Sequence, residues 1–163
     1  MAKKTVYIET SVVSYLTARP TSDLLPAAWQ KITADWWETR RNRFDLMTSK
    51  VTLDEAGRGD AGASARRLAA LSDIPVLPIT GAVSDLADKL VQGGALPAKA
   101  LNDALHVAVS GVHGVDYLLT WNYRHLDNAE ARPVIRRICS RYGYGGPEIC
   151  TPRELMGGFE DVR

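Results

Sequence analysis

Two cysteines in 163 residues, Cys139 and Cys150, with no CxxC pair, leave neither a disulfide framework nor a thiolate metal cage. Long apolar runs are missing too. None reaches 18 residues, so a membrane span is not expected. The apolar stretch of MAKKTVYIET ends at Glu9, too short for a secretory signal, and a cytoplasmic address is the expectation. Charge of one sign is also lacking: 20 Lys and Arg stand against 19 Asp and Glu, for a formal +1. Any polyanion must therefore be held by a local patch rather than by the field of the whole molecule. There is no GxxxxGK[ST] loop and no DxD after the first apolar run, which argues against a different phosphate-handling enzyme such as a phosphatase. Repeats, low-complexity tracts and linkers are absent, and a single domain over residues 1–163 is expected.

What is present is an alternation of short β-rich runs and helical stretches. TVYI (5–8), FDLMTS (44–49), IPVLPI, VDYLLTW (115–121) and PEIC read as strands, with the proline-flanked third run suited to an edge. Between them lie a short helix over 11–18 and a helix through AAWQKITADWWETRR with Ser22 or Asp23 as its cap. Ser49 caps KVTLDEAGR, Asp60 caps DAGASARRLAALSD, and Thr80 or Ser84 starts VSDLADKLVQ, closed by Gly93 and Gly94. Pro97 opens a strongly apolar helix, PAKALNDALHVAVSGVHG, and Asn128 precedes a basic amphipathic helix through Tyr142. Strands alternating with helices predict a three-layer α/β/α sandwich around a central, mostly parallel sheet.

In such sheets ligands gather beyond the carboxyl ends of the strands. Glu9 ends the first strand, Asp54 and Glu55 lie on the helix after the second, and Thr120 and Asn122 end the fourth. Asp103 stands in the apolar helix among Leu101, Leu105, Val107 and Val109. Four segments thus bring oxygen donors to one mouth. Carboxylate clusters suit Mg²⁺ or Mn²⁺, which activate a water and neutralise phosphate charge during in-line attack. His106, three residues after Asp103, reads as a hydrogen-bonding partner on the helix rather than as a metal ligand. Trp29 and Trp36, seven residues apart on one helical face, read as packing rather than as a base-stacking platform.

The segments IETS, TSKVTLDEAGRG, NDALHVAVS and DYLLTWNYRHLDNA together resemble the PIN-domain family over nearly the whole chain. The resemblance implies a metal-dependent endoribonuclease of the VapC toxin type, hydrolysing RNA with water activated by Mg²⁺ or Mn²⁺. It places Glu9 at the family's first aspartate, Glu55 at its glutamate, Asp103 at its helical aspartate and Asn122 where many members carry a fourth acid. Glu9, Glu55 and Asp103 would be the metal ligands, with Asn122 beside them. Ser11 or Thr120 would supply a hydroxyl, and Arg124 and His125 would contact substrate. A small antitoxin and a homodimer are the implied partners. Arg40, Arg41 and Arg43, or Arg132, Arg136, Arg137 and Arg141, are candidate phosphate patches, with solvated helix faces as the alternative. The competing function is a PIN fold that binds RNA or a partner without cutting.

Overall fold

The chain enters its own sheet in the middle. In the computed structural model, which describes residues 2–157, β1 (Lys4–Ile8) lies between β2 (Phe44–Ser49) and β4 (Tyr117–Leu119). β3 (Val76–Leu77) and β5 (Glu148–Cys150) form the two edges, giving the order β3-β2-β1-β4-β5. All four pairings are parallel, with Val6 beside Leu46 on one flank and beside Tyr117 on the other. Met1 and residues 158–163 of the expected domain lie outside the described residues.

Strand side chains alternate between two covered faces, as the parallel sheet requires. Val6, Ile8 and Leu119 meet Val12 and Val13 of α1 (Thr10–Thr17), Trp36 of α2 (Leu24–Thr39) and Leu71 of α4 (Ala61–Leu71). Tyr7, Leu118 and Ile149 point the other way. They meet Leu86 and Leu90 of α5 (Gly81–Gln92), Val107 of α6 (Leu101–Val112) and Ile135 and Ile138 of α7 (Ala131–Arg141). The three-layer α/β/α sandwich is therefore present, with the sheet wholly parallel.

Several helix starts follow from local chemistry. Ser49 Oγ accepts the Val51 amide at 3.2 Å to cap α3 (Lys50–Ala56), and Asp60 Oδ2 accepts that of Ala63 at 2.9 Å. Thr80, rather than Ser84, caps α5 through the Val83 amide. Gly94, at φ +78, supplies the left-handed residue that ends that helix.

Of the boundaries that differ from the sequence reading, two matter for the site. Pro97 opens a 3₁₀ turn over Ala98–Ala100, so α6 proper begins at Leu101 and Asp103 falls in its first turn. The fourth strand stops at Leu119 instead of running to Trp121. Thr120 still donates its amide to Cys150, but Asn122 then turns the chain by accepting the Leu126 and Asp127 amides at its carbonyl.

Leu118 has no exposure and sits mid-sheet, so it reports on the assembled core. Leu118→Ala should lower the unfolding free energy by about 2–5 kcal/mol, read from urea denaturation followed by circular dichroism. A loss well below that range would mean that the α5–α6–α7 layer does not bear on β4.

Candidate active site

The strand order reverses between β1 and β4, and the crevice at such a switch point opens at the carboxyl ends of the strands. Glu9 follows β1 there and caps α1. Its Oε2 accepts the Ser11 amide at 2.7 Å, the Ser11 hydroxyl at 2.5 Å and the Thr120 hydroxyl at 3.1 Å. Ser11 Oγ also accepts the Trp121 amide at 2.8 Å, which ties the segment after β4 to the start of α1. Glu9 is buried, at 5% exposure. Burial raises its carboxyl above the usual range, with His106 and the Ser11 bonds pulling it down and Glu55 pushing it up.

Tyr7, one residue before the end of β1, reaches His106 of α6. His106 has no exposure. Its Nε2 lies 2.6 Å from Glu55 Oε1 and its Nδ1 2.7 Å from the Tyr7 hydroxyl. That hydroxyl also meets Ser49 Oγ at 2.7 Å and Thr52 Oγ1 at 3.2 Å. Burial by itself would push the imidazole down. Tyr7, the hydrogen bond to Glu55, and the charges of Glu9 and Glu55 outweigh it and raise the pKa to about 10. Glu55 moves the opposite way: against the cost of burial, His106, the Thr10 hydroxyl at 2.7 Å and Asn102 hold its carboxyl below the usual range.

The choice between Asp54 and Glu55 is decided by the helix. Asp54 faces solvent and pairs with Lys50 at 2.8 Å, one turn back, while Glu55 turns inward. Asp103 is only partly buried, with its side chain 16% exposed, and its Oδ2 lies 2.9 Å from His125 Nδ1. A carboxylate only accepts, so His125 carries a proton on Nδ1. Asn122 sits behind this pair. Its Oδ1 accepts the His125 amide at 3.0 Å and its own amide donates to Thr120 Oγ1 at 2.9 Å, so it builds the turn that presents His125. Thr120 is fully buried, and with Ser11 it forms the wall around Glu9.

A cleft of about 540 Å³ opens over these groups, lined by Glu55, Asn102, Asp103, Lys99, Arg124 and His125 among others. Lys99 and Asn102 are contributions that spacing did not reveal, because the 3₁₀ turn before α6 carries Lys99 to the rim. The arginine clusters separate by position. Arg41 ion-pairs with Asp73 at 3.1 Å and lies over the Trp37 ring, at the opposite end of the strands from the acids. On α7, Arg132 pairs with Asp127 and Arg136 with Glu148 at 3.4 Å, so half of that run serves the fold. A second cavity of about 530 Å³, bounded by Asp85, Asp88, Lys89 and Tyr142, contains none of the site's acids.

The profile of the PIN domain matches residues 6–131, well over half of the chain. The chain belongs to the PIN-domain family. PIN domains are generally nucleases and typically use divalent metal ions. No curated protein matches the chain. Among solved structures, it is similar to a member of the VapBC family of toxin–antitoxin systems, VapBC-5, from Mycobacterium tuberculosis. The TM-score is 0.47 and the identity 18%, over 90% of this chain and 98% of that one. No helix among the described residues is long and apolar enough to cross a membrane.

This PIN domain does not gather its acids into a ready-made cage. Among the described residues, no three His, Cys, Asp or Glu side chains group so as to hold a metal ion. Glu55 and Asp103 nevertheless line one open cleft. Two carboxylates in an open cleft fit a hydrated Mg²⁺-type ion, which keeps waters and takes one or two protein carboxylates. Glu9 lies behind them, within electrostatic reach of Glu55.

The raised pKa of His106 has a measurable consequence. The folded value exceeds that of an unfolded histidine, about 6.5. The stabilisation from the ion pair is therefore complete below about pH 6.5 and drains away as pH climbs through about 10. Urea midpoints of the wild type should fall between about pH 6 and about pH 9.5. His106→Gln should be weakened by about 3–5 kcal/mol at the lower pH and should show a flatter profile. Parallel profiles for the two proteins would refute a charged His106.

Proposed function

We propose that this PIN domain is a metal-dependent endoribonuclease of the VapC toxin type, hydrolysing RNA phosphodiester bonds at the cleft over Glu55 and Asp103. The observation that carries the reading is the composition of that cleft, in which two carboxylates share one opening with Lys99 and Arg124. Acids alone would repel a phosphodiester, and cations alone would bind it without activating water. Both signs on one wall set suit a bound phosphate with a metal beside it.

In this reading Glu55 and Asp103 hold Mg²⁺ or Mn²⁺, and Glu9 completes the negative field from behind. When bound, the ion supplies a water of lowered pKa and neutralises charge on the phosphate. The chain's own residues do the rest. Lys99 and Arg124 draw the phosphate backbone into the cleft and hold it there. Asp103 and Asn122 orient His125 at the mouth. His106 keeps Glu55 ionised and fixed, and Ser11 and Thr120 do the same for the position of Glu9. A small antitoxin covering the cleft and a homodimer accompany the toxin reading. An apparent mass of one chain at micromolar concentration would remove the dimer from it.

The hydrogen bonds that occupy Glu9, and the lack of a three-acid cage among the described residues, favour one alternative: a PIN fold that binds RNA without cutting it. Calorimetry with Mg²⁺ and Mn²⁺ separates the two, since a pure binding module has no need of an ion.

Cleavage of labelled RNA with Mn²⁺ titrated against wild type and Asp103→Asn tests the lead reading. The variant should lose activity by about 100-fold or more, several kcal/mol of transition-state stabilisation. Equal rates would eliminate the metal mechanism at this cleft. Separately, Lys99→Ala should weaken RNA binding and reduce the slope of log affinity against log salt by about 1. An unchanged slope would take Lys99 out of the phosphate path.

A further inference from the structure

Tyr7 stands in the middle of the parallel sheet, between Met47 of β2 and Leu118 of β4, with no exposure to solvent. Positions buried on a central parallel strand are ordinarily apolar, and its neighbours Val6 and Ile8 keep to that rule. A phenylalanine would fill the ring's volume without burying a hydroxyl, so the oxygen needs its own explanation. It lies within hydrogen-bond distance of three side chains, and two of those have other work. Ser49 Oγ accepts the Val51 amide, and Thr52 Oγ1 donates to the Ile8 carbonyl at 3.2 Å. The third is Nδ1 of His106, which has Tyr7 as its one hydrogen-bond partner among the described residues. The two rings also meet edge-on, with centroids 5.6 Å apart. What depends on the Tyr7 hydroxyl is therefore the far nitrogen of the ring that holds Glu55.

Glu55 needs such a hold. It is the last residue but one of α3, a helix of seven residues, and its side chain is 23% exposed at the cleft. Helix ends fray, and a side chain there keeps one position only through contacts from other elements. Thr10 of α1 supplies one such contact and Nε2 of His106 another. An imidazole bonded at one nitrogen alone still turns about its Cβ–Cγ bond. Bonded at both, it is fixed. A hydroxyl both gives and accepts a hydrogen bond, so Tyr7 serves Nδ1 with or without its proton. We propose that Tyr7 is a positioning residue for the metal site: its hydroxyl fixes the His106 ring, and the ring fixes the Glu55 carboxylate at the cleft. The inference rests on the nuclease reading for the ion and adds a residue outside the cleft that sets how tightly the ion is held. Groups that orient a metal ligand from behind govern affinity as well as rate.

Calorimetry of the full chain with Mn²⁺ tests it, comparing wild type with Tyr7→Phe, which removes one oxygen and keeps the ring. Mn²⁺ affinity should fall about tenfold or more. RNA binding measured without the ion should stay nearly unchanged, because Lys99 and Arg124 are untouched. Thr48→Val is the control for mere loosening of the core. It deletes a buried hydroxyl of the neighbouring strand that donates to the Ile8 carbonyl at 3.1 Å, without reaching Tyr7 or His106. This variant should melt at a lower temperature and bind Mn²⁺ as the wild type does. Equal affinities in wild type and Tyr7→Phe would overturn the proposal, and so would a Thr48→Val variant that loses as much. Should Tyr7→Phe fail to fold, His106→Gln takes its place, since the hydroxyl acts only through that ring. Unchanged affinity there is equally decisive against it. A metal-free readout separates this inference from the nuclease reading. The proton between His106 and Glu55 is closed off from water and gives a downfield proton NMR signal, assigned by its loss in His106→Gln. Tyr7→Phe should shift or erase that signal and Thr48→Val should leave it. A signal unmoved by Tyr7→Phe would overturn the positioning role. A wild type that takes up no Mn²⁺ but whose signal moves with Tyr7→Phe removes the nuclease reading and leaves the hold on Glu55 standing.

Discussion

Bringing carboxylates to the same end of a parallel sheet sets like charges against one another where water is scarce, and His106 is what makes this tolerable. Its imidazole reaches Glu55 on one side and Tyr7 on the other with no surface exposed to solvent. A buried pair of this kind gains little net stability over an apolar substitute, but removing one partner strands the other charge. The constraint then spreads outward. Tyr7 is placed by β1, Glu55 by α3 and His106 by α6, so three separate elements keep their positions for one hydrogen-bonded group. Ser49 and Thr52 complete the polar shell around the Tyr7 hydroxyl, and Thr48 and Thr52 satisfy the Ile8 carbonyl.

The second organising feature is the turn after β4. It does three jobs with alternate residues. Thr120 steadies Glu9, Asn122 shapes the turn and presents His125, and Arg124 reaches the cleft rim. Asn at position 122 thus has a clear local use, because an Asn side chain that caps its own turn needs no charge. Glu9 is likewise committed locally. It caps α1, a task usually given to Asp, Asn, Ser or Thr, and its burial raises its pKa. Of the four oxygen-bearing candidates, Glu55 and Asp103 line the open cleft, while Glu9 and Asn122 are taken up by local hydrogen bonds.

Much of this was legible beforehand. The alternation of strands and helices, the edge position of the proline-flanked third strand, and the caps at Ser49 and Asp60 follow from local rules, and all are present in the fold. So is the convergence of Glu9, Glu55 and Asp103 on one end of the sheet, since that depends only on where each stands relative to a strand end. Less legible was His106. Its sequence neighbour Asp103 looks like its natural partner on the helix, yet Asp103 pairs with His125 and His106 reaches across to α3 and β1. Three residues along a helix share a face only approximately, and a small rotation aims one into the core and the other at the rim. Trp29 packs against Trp121, as its spacing on the helix suggests, and the Tyr123 ring tilted against it comes from a different segment.

By itself the sequence determined the layers, the parallel sheet and the residues able to carry oxygen chemistry. Periodicity and position along the chain are local properties, and neighbouring residues suffice to express them. Only the tertiary structure decided between Asp54 and Glu55, placed Lys99 in one cleft with Arg124, turned Asn122 into a support and stacked Trp29 on Trp121. Each of those outcomes depends on which side chains from distant segments arrive at the same point, and on whether water or another group satisfies their polar atoms there. Pairwise distances across the fold set those energies, and spacing along the chain does not contain them.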